Sequence, residues 1–128
     1  MEDKAKKLLE QIEKDRGFSR PWRRILAEQD PEFLEGFHKL NMQVLHRQDG
    51  LPRKYVELVQ IVTDVLNLYE PGFRIHLRRA LEEGLTEAEV IQALEICTLG
   101  GIHYISNILP VLEDEIGKFK EGKKAGKK

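Results

Sequence analysis

The chain has 128 residues, of which 41% are apolar and 34% are charged, with a net charge of −1. This composition excludes an intrinsically disordered protein, and the single cysteine, Cys97, excludes an internal disulfide framework and fits a reducing, cytoplasmic location. The charged N-terminus predicts no secretory signal, and no stretch approaches the ~18 consecutive apolar residues of a membrane span.

The N-terminal part of the chain predicts three helices. Residues 2–16 have the spacing of a charged amphipathic helix, which Gly17 ends. Pro21 predicts the start of a short second helix, and Asp30 before Pro31 predicts the start of a third. No segment shows the two-residue alternation of a strand, so the fold class is all-α.

Residues 51–69 form the most apolar predicted helix. Its polar residues fall at steps of three and four and share one narrow stripe: Glu57, Gln60, Asp64 and Asn67. A rod with so little polar surface needs other helices on most of its sides. We therefore expect it at the centre of a bundle. Glu57 on such a stripe is most often solvated, but Gln60, Asp64 and Asn67 could equally line a wet cleft.

The rest of the chain predicts three more helices, at about 73–83, 87–99 and 103–116. Thr86 and Glu89 have the spacing of a capping box, and Pro110 predicts a kink or a restart in the last helix. Together the patterns predict a helical bundle of about six to seven helices in one domain over 1–116.

The positive charges gather at the C-terminus. Residues 117–128 hold six lysines and one glutamate, which leaves 15 basic against 21 acidic residues in the rest of the chain. We predict that this segment is a flexible Lys-rich tail. The tail could contact an acidic partner, but the acidic body argues against nucleic-acid binding.

Residues 51–112 place a glutamate early in an apolar helix, a histidine near the start of the next helix, and a Gly turn before the last one. The string after the histidine is the most recognisable part: His76, Ala80, Leu81, Gly84, Thr86 and Glu89. This region resembles the carboxymuconolactone decarboxylase family, which includes the alkylhydroperoxidase D-like proteins. The resemblance implies an alkylhydroperoxidase D-like fold and a homo-oligomer, commonly a trimer or hexamer. The N-terminal helices at 1–50 are not diagnostic.

The peroxidase branch of that family carries a C-x-x-C motif just before the histidine. At the matching positions this chain has Tyr69 and Gly72, and Cys97 lies on another predicted helix. A dithiol peroxidase needs both a nucleophilic and a resolving thiol. The resemblance therefore implies the decarboxylase branch, and Cys97 is expected to be a buried, inert thiol.

The resemblance implies that Glu57 and His76 are the catalytic pair. Loss of carbon dioxide from a lactone acid leaves a carbon that must be protonated, and histidine is the side chain best suited to donate a proton near neutral pH. A hydrogen bond from the imidazole to Glu57 would fix the tautomer and favour the protonated imidazole. The residues expected to contact the substrate and its carboxylates are Arg74, Arg78, Tyr69 and His103.

We therefore predict a cofactor-free carboxy-lyase that acts on a small carboxylated lactone or related cyclic acid. His76 could instead be an ordinary histidine at the margin of an apolar face, and His103 could serve as a cap or an interface residue. The alternative function is a non-catalytic oligomeric binding or scaffold relative, and a redox protein based on Cys97 ranks last. No cluster with metal-ligand spacing is present, so no metal site is predicted.

Overall fold

The structure, a computed structural model, describes residues 1–126. The described part of the chain is all-α and contains no strand, which confirms the predicted fold class. Its seven helices are α1 (Asp3–Arg16), α2 (Pro21–Gln29), α3 (Pro31–Leu45), α4 (Arg53–Leu66), α5 (Glu70–Glu82), α6 (Glu87–Leu99) and α7 (Ile102–Gly126). None of the described helices is both long enough and apolar enough to cross a membrane.

The chain divides into two compact units, Met1–Leu51 and Pro52–Lys128, the second described as far as Gly126. The division falls where the sequence separates the N-terminal helices at 1–50 from the family-like region that begins at 51. A single folded domain over 1–116 stays a prediction.

The first unit consists of α1, α2 and α3. Its core is made of small and branched apolar side chains: Ala5, Ile12, Ala27 and Leu34, with Leu8, Leu9 and Leu26 packed against them. Gly17 ends α1 in the left-handed conformation (φ 76°), and its N–H donates to the carbonyl of Glu13. The Asp30 side chain accepts from the N–H of Phe33 and caps α3, as its position before Pro31 predicted.

The second unit is built on α4, which packs against α5 and α6. Its core consists of Ile61, Ala80 and Leu85, with Leu58, Phe73, Leu77 and Leu94 packed against them. Of the two alternatives for the polar stripe of α4, full solvation is wrong at Glu57, whereas Asn67 at the end of the stripe is exposed. Glu57 is fully buried, whereas Val59 and Leu66 on the same helix are exposed. The polar face of α4 packs towards α5, where Glu57 and Gln60 lie within hydrogen-bond distance of His76.

The connection between α4 and α5 differs from the one predicted. The sequence placed the residues "EPG" at 70–72 between the helices predicted at 51–69 and about 73–83. In the structure they form the first turn of α5, where proline is favoured. The turn lies one step earlier, at Leu68, which adopts the left-handed conformation with φ 53°. The N–H of Tyr69 then donates to the carbonyl of Asp64 at 2.8 Å, as in a Schellman motif.

Helix α7 is longer than predicted. It passes through Pro110 without ending and continues beyond the expected end at 116 to Gly126, so residues 117–126 of the predicted tail are helical. Lys118 pairs with Asp114 at 2.8 Å, one turn earlier, which favours this extension. Lys127 and Lys128 lie outside the described residues.

Candidate functional site

The site forms where α4 and α5 pack together, around the imidazole of His76. Nδ1 of His76 lies 2.7 Å from Oε2 of Glu57, and both side chains are buried. A carboxylate can only accept a hydrogen bond, so Nδ1 carries the proton and donates it to Glu57. The structure therefore brings together the two residues that the resemblance had paired, with Nε2 on the opposite side of the ring from Glu57.

Arg53, which is partly exposed, extends the pair of Glu57 and His76 to a row of three groups. It lies one turn before Glu57 on α4, and its Nη2 donates to the other carboxylate oxygen, Oε1, at 2.6 Å. Burial raises the pKa of Glu57, but the hydrogen bonds from His76 and Arg53 and the charges of these two groups outweigh that effect, so the pKa falls below its ordinary value. Glu57 is consequently ionised at neutral pH and holds the imidazole in place.

The Nε2 side of His76 faces two polar residues of α4. The side-chain nitrogen of Gln60 lies 3.1 Å from Nε2, and Oδ2 of Asp64 lies 4.0 Å from it. The Gln60 amide can donate to Nε2 of the neutral imidazole, and its other orientation would accept from Nε2–H of the protonated ring. This amide is therefore compatible with both protonation states of His76.

Asp64 carries an unusual carboxyl group. Its Oδ2 atom is buried and has no hydrogen-bond partner among the described residues. Burial raises the pKa of Asp64 above its ordinary value, although the charge on His76 acts in the opposite direction. A carboxyl that resists ionisation beside an imidazole is the kind of group that proton-transfer sites contain.

Gly72 provides the space for that carboxyl. It is buried in the first turn of α5, and a Cβ built on it would lie 2.6 Å from Oδ2 of Asp64 and 2.7 Å from Cδ1 of Tyr69. Any other residue at position 72 would therefore have to displace one of these side chains. Of the four expected substrate contacts, the structure places Tyr69 at the margin of the site.

The other three expected contacts lie away from His76 within the chain. Arg74 and Arg78 are two residues before and after His76 on α5, and residues at that spacing face different sides of a helix. Arg74 pairs instead with Glu70 at 2.6 Å, and its side chain is 73% exposed. His103 is exposed on α7. Their contacts with a substrate stay predictions.

Arg53 was missed by the sequence analysis, and Gln60 and Asp64 were recognised only as members of the polar stripe. All three lie three, four or seven residues from Glu57, which places them on the same face of α4. The opposite charges of Arg53 and Glu57 at one-turn spacing were a usable signal. Only the resemblance, by pairing Glu57 with His76, indicated that this face would turn towards α5.

Cys97 is half-buried on α6 and lines a groove of about 500 Å³ between α4 and α6. The groove is apolar, and its walls include Leu58, Val62 and Ile96. Within residues 1–126 no group of three or more His, Cys, Asp or Glu side chains is arranged to hold a metal ion.

Comparison with known proteins follows the same region of the chain. The sequence model of the carboxymuconolactone decarboxylase family matches residues 31–101. A crystal structure from Burkholderia xenovorans LB400, provisionally described as a gamma-carboxymuconolactone decarboxylase subunit, is similar with 31% identity and a TM-score of 0.67. The match covers 92% of this chain but 48% of that one, so this chain spans about half the length of its structural relative. No curated protein matches the sequence.

Proposed function

The chain belongs to the carboxymuconolactone decarboxylase family, and on that premise we propose that it is a cofactor-free carboxy-lyase acting on a carboxylated lactone or related cyclic acid. The observation that supports the proposal most directly is the row Arg53–Glu57–His76, in which Glu57 and His76 are buried and Nε2 of the imidazole faces other polar side chains. Such an arrangement orients a proton donor.

The proposed reaction divides the work between these residues. The bond from the substrate carbon to its carboxylate breaks, its electron pair moves into the unsaturated lactone, and His76 donates a proton from Nε2 to the carbon. Glu57 accepts from Nδ1 and stabilises the imidazolium that exists before this transfer. Arg53 keeps Glu57 ionised.

A structural role alone explains this row poorly. Burying charged groups costs free energy, and a packed apolar cluster of the same volume would often be as stable or more stable. Here the chain places an ionised carboxylate in the interior while Val59 and Leu66 of the same helix face outwards. Local choices that cost stability are expected where function requires them.

We further propose that the chain self-associates and that substrate contacts come in part from neighbouring copies. Arg74, Arg78 and His103 are exposed, so they would reach a bound carboxylate only where two copies meet. The alternative is a non-catalytic oligomeric binding or scaffold protein. It is supported by the exposed apolar side chains of the chain and by the apolar groove beside Cys97.

The test is release of carbon dioxide from 4-carboxymuconolactone by the purified protein, with His76→Ala and a matched control, His46→Ala on the first unit. We expect activity in the wild type and in His46→Ala, and a loss of roughly 10²- to 10⁴-fold in His76→Ala. An inactive wild type would remove this substrate and leave the binding or scaffold function as the leading proposal.

A further inference from the structure

Asp64 is the polar side chain at Nε2 of His76 whose carboxyl the proposed reaction leaves unused. Its Oδ2 atom lies 4.0 Å from Nε2, is buried, and has no hydrogen-bond partner among the described residues. The side chain as a whole is 17% exposed, so Asp64 extends from the buried imidazole towards solvent. Glu57, on the other side of the ring, is fully buried.

The packing around Asp64 preserves this position. Gly72 leaves room for the carboxyl, since a Cβ there would come within 2.6 Å of Oδ2 and 2.9 Å of Cγ. The carbonyl of Asp64 also accepts from the N–H of Tyr69, which ties the end of α4 to the start of α5. The helix end therefore fixes the backbone of Asp64, and the glycine leaves space for its carboxyl on the Nε2 side of the ring.

Decarboxylation creates a specific need on that side. The substrate carboxylate leaves as neutral carbon dioxide and the carbon gains a proton, so each turnover consumes one proton from His76. The ring must be protonated again before the next turnover. Glu57 is poorly suited to supply that proton, because Arg53 and His76 hold it ionised away from solvent.

We propose that Asp64 returns the proton from solvent to Nε2 of His76, an inference that rests on the proposed decarboxylase function. In this step the O–H bond of the Asp64 carboxylic acid breaks, the Nε2–H bond forms, and the Asp64 carboxylate then takes a proton from water. The 4.0 Å gap is longer than a hydrogen bond and closes by a small rotation of the side chain. Asp64 acts through His76 and not on the substrate.

The raised pKa of Asp64 agrees with this step, because burial keeps part of its population protonated at a pH where an ordinary aspartate is fully ionised. Gln60 lies beside the path, with its amide nitrogen 3.1 Å from Nε2. Its second orientation presents an oxygen to Nε2–H, so it can hold the ring in place before and after the transfer.

The first test is the time course of carbon dioxide release by Asp64→Asn, with Asp114→Asn on α7 as the matched control. Asn has the shape of Asp but cannot carry the proton. We expect the first turnover at the wild-type rate, later turnovers slowed by about tenfold or more, and recovery when imidazole buffer supplies protons. A first turnover slowed as much as the later ones, with no recovery in imidazole, would overturn the proposal.

A second test does not depend on turnover. In protein with ¹⁵N-labelled histidine, NMR gives the rate at which the Nε2 proton of His76 exchanges with water. We expect exchange to slow several-fold in Asp64→Asn and to stay unchanged in Asp114→Asn. Equal exchange in all three proteins would reject the role of Asp64. A wild type that releases no carbon dioxide contradicts the decarboxylase function alone, and the exchange rates then still decide about Asp64.

Discussion

Glu57 shows how a single residue sets the energetics of this site. Its two carboxylate oxygens are divided between Arg53 at 2.6 Å and His76 at 2.7 Å. The Arg53 side chain is 28% exposed and Glu57 is fully buried, so water reaches the charge of Arg53 but not the charge of Glu57. Removing Glu57 would leave Nδ1 of His76 buried without its acceptor. Glu57 therefore contributes to the stability of the fold as well as to the proposed reaction.

Glu57→Gln should destabilise the protein by about 3 kcal/mol at pH 7, because it breaks a buried ion pair and leaves its partners uncompensated. In this variant the free energy of unfolding should also fall less between pH 7 and pH 3 than it does in the wild type; this fall is the acid limb of the stability curve. The pKa of Glu57 lies below its ordinary value of 4.5 in the folded state, so its contribution is complete above that value and is lost as pH falls through the folded pKa. Urea unfolding between pH 3 and pH 7 measures both effects.

Asp15 provides the comparison for that experiment. It pairs with His38 at 2.8 Å in the first unit, and hydrogen bonds from His38 and Gln11 lower its pKa. Because Asp15 is 25% exposed, Asp15→Asn should flatten the acid limb as well but cost less stability at pH 7. An acid limb in Glu57→Gln identical to that of the wild type would contradict the proposed charge state of Glu57.

The element that positions the site is the joint between α4 and α5. Leu68 occupies the left-handed C′ position that glycine usually takes, and its side chain is 93% exposed, so it gains no packing there. The joint sets Tyr69, Asp64 and Gly72 beside one another. Its strain lies directly at the margin of the site, where strained backbone is often found.

Leu68→Gly should therefore stabilise the protein. The left-handed conformation costs a non-glycine residue about 1 kcal/mol, and an exposed side chain loses little packing when it is removed. Thermal unfolding should show a higher midpoint than the wild type. A lower midpoint would mean that the Leu68 side chain makes contacts in solution, for example with a second copy of the chain.

Alanine substitutions at two glycines, Gly72 in α5 and Gly36 in α3 as its control, test how closely Asp64 and Tyr69 pack against the start of α5. Gly36, exposed in α3, has nothing within 4 Å of a built Cβ, so Gly36→Ala should stabilise its helix by about 0.5–1 kcal/mol. Gly72→Ala should instead destabilise by about 1–3 kcal/mol, because the new Cβ displaces Asp64 or Tyr69. Urea unfolding measures both variants, and equal stabilisation of the two would contradict the tight cradle around Asp64.

At the scale of the whole molecule, apolar surface is left uncovered. No described residue of α7 is buried, although the helix carries an apolar row at helical spacing: Ile105, Ile108, Leu109, Leu112, Ile116 and Phe119. A monomer seldom exposes so continuous an apolar surface to water. The resemblance implied a homo-oligomer, and this row is the clearest surface for it.

We expect sedimentation at micromolar concentration to show an oligomer and no monomer. The double variant Ile108→Glu/Leu112→Glu places two charges in the apolar row and should shift the protein towards monomer. Glu113→Gln, on the same helix, serves as the control and should leave the oligomer intact. A clean monomer peak for the wild type would contradict this prediction.

Most helices of this protein were predictable from the sequence, because the signals that start and end them are local. The cap at Asp30, the capping box of Thr86 and Glu89 and the glycine at position 84 each act within one turn of chain. Family resemblance added the pairing of Glu57 with His76. The spacing of Arg53, Gln60 and Asp64 placed them on the face of α4 that carries Glu57, but it could not say what that face would meet.

The packing of α4 on α5 was needed to show that Asp64 and Gln60 lie beside Nε2 of His76. Periodicity groups side chains by face, and an apolar majority ordinarily predicts that the apolar face turns inwards. Here Glu57 and Gln60 exchange water for His76 on a second helix, and that partner lies 19 and 16 residues away in the sequence. The apolar side chains left outside therefore need a cover that one chain does not supply, which is why the site and the association of copies are proposed together.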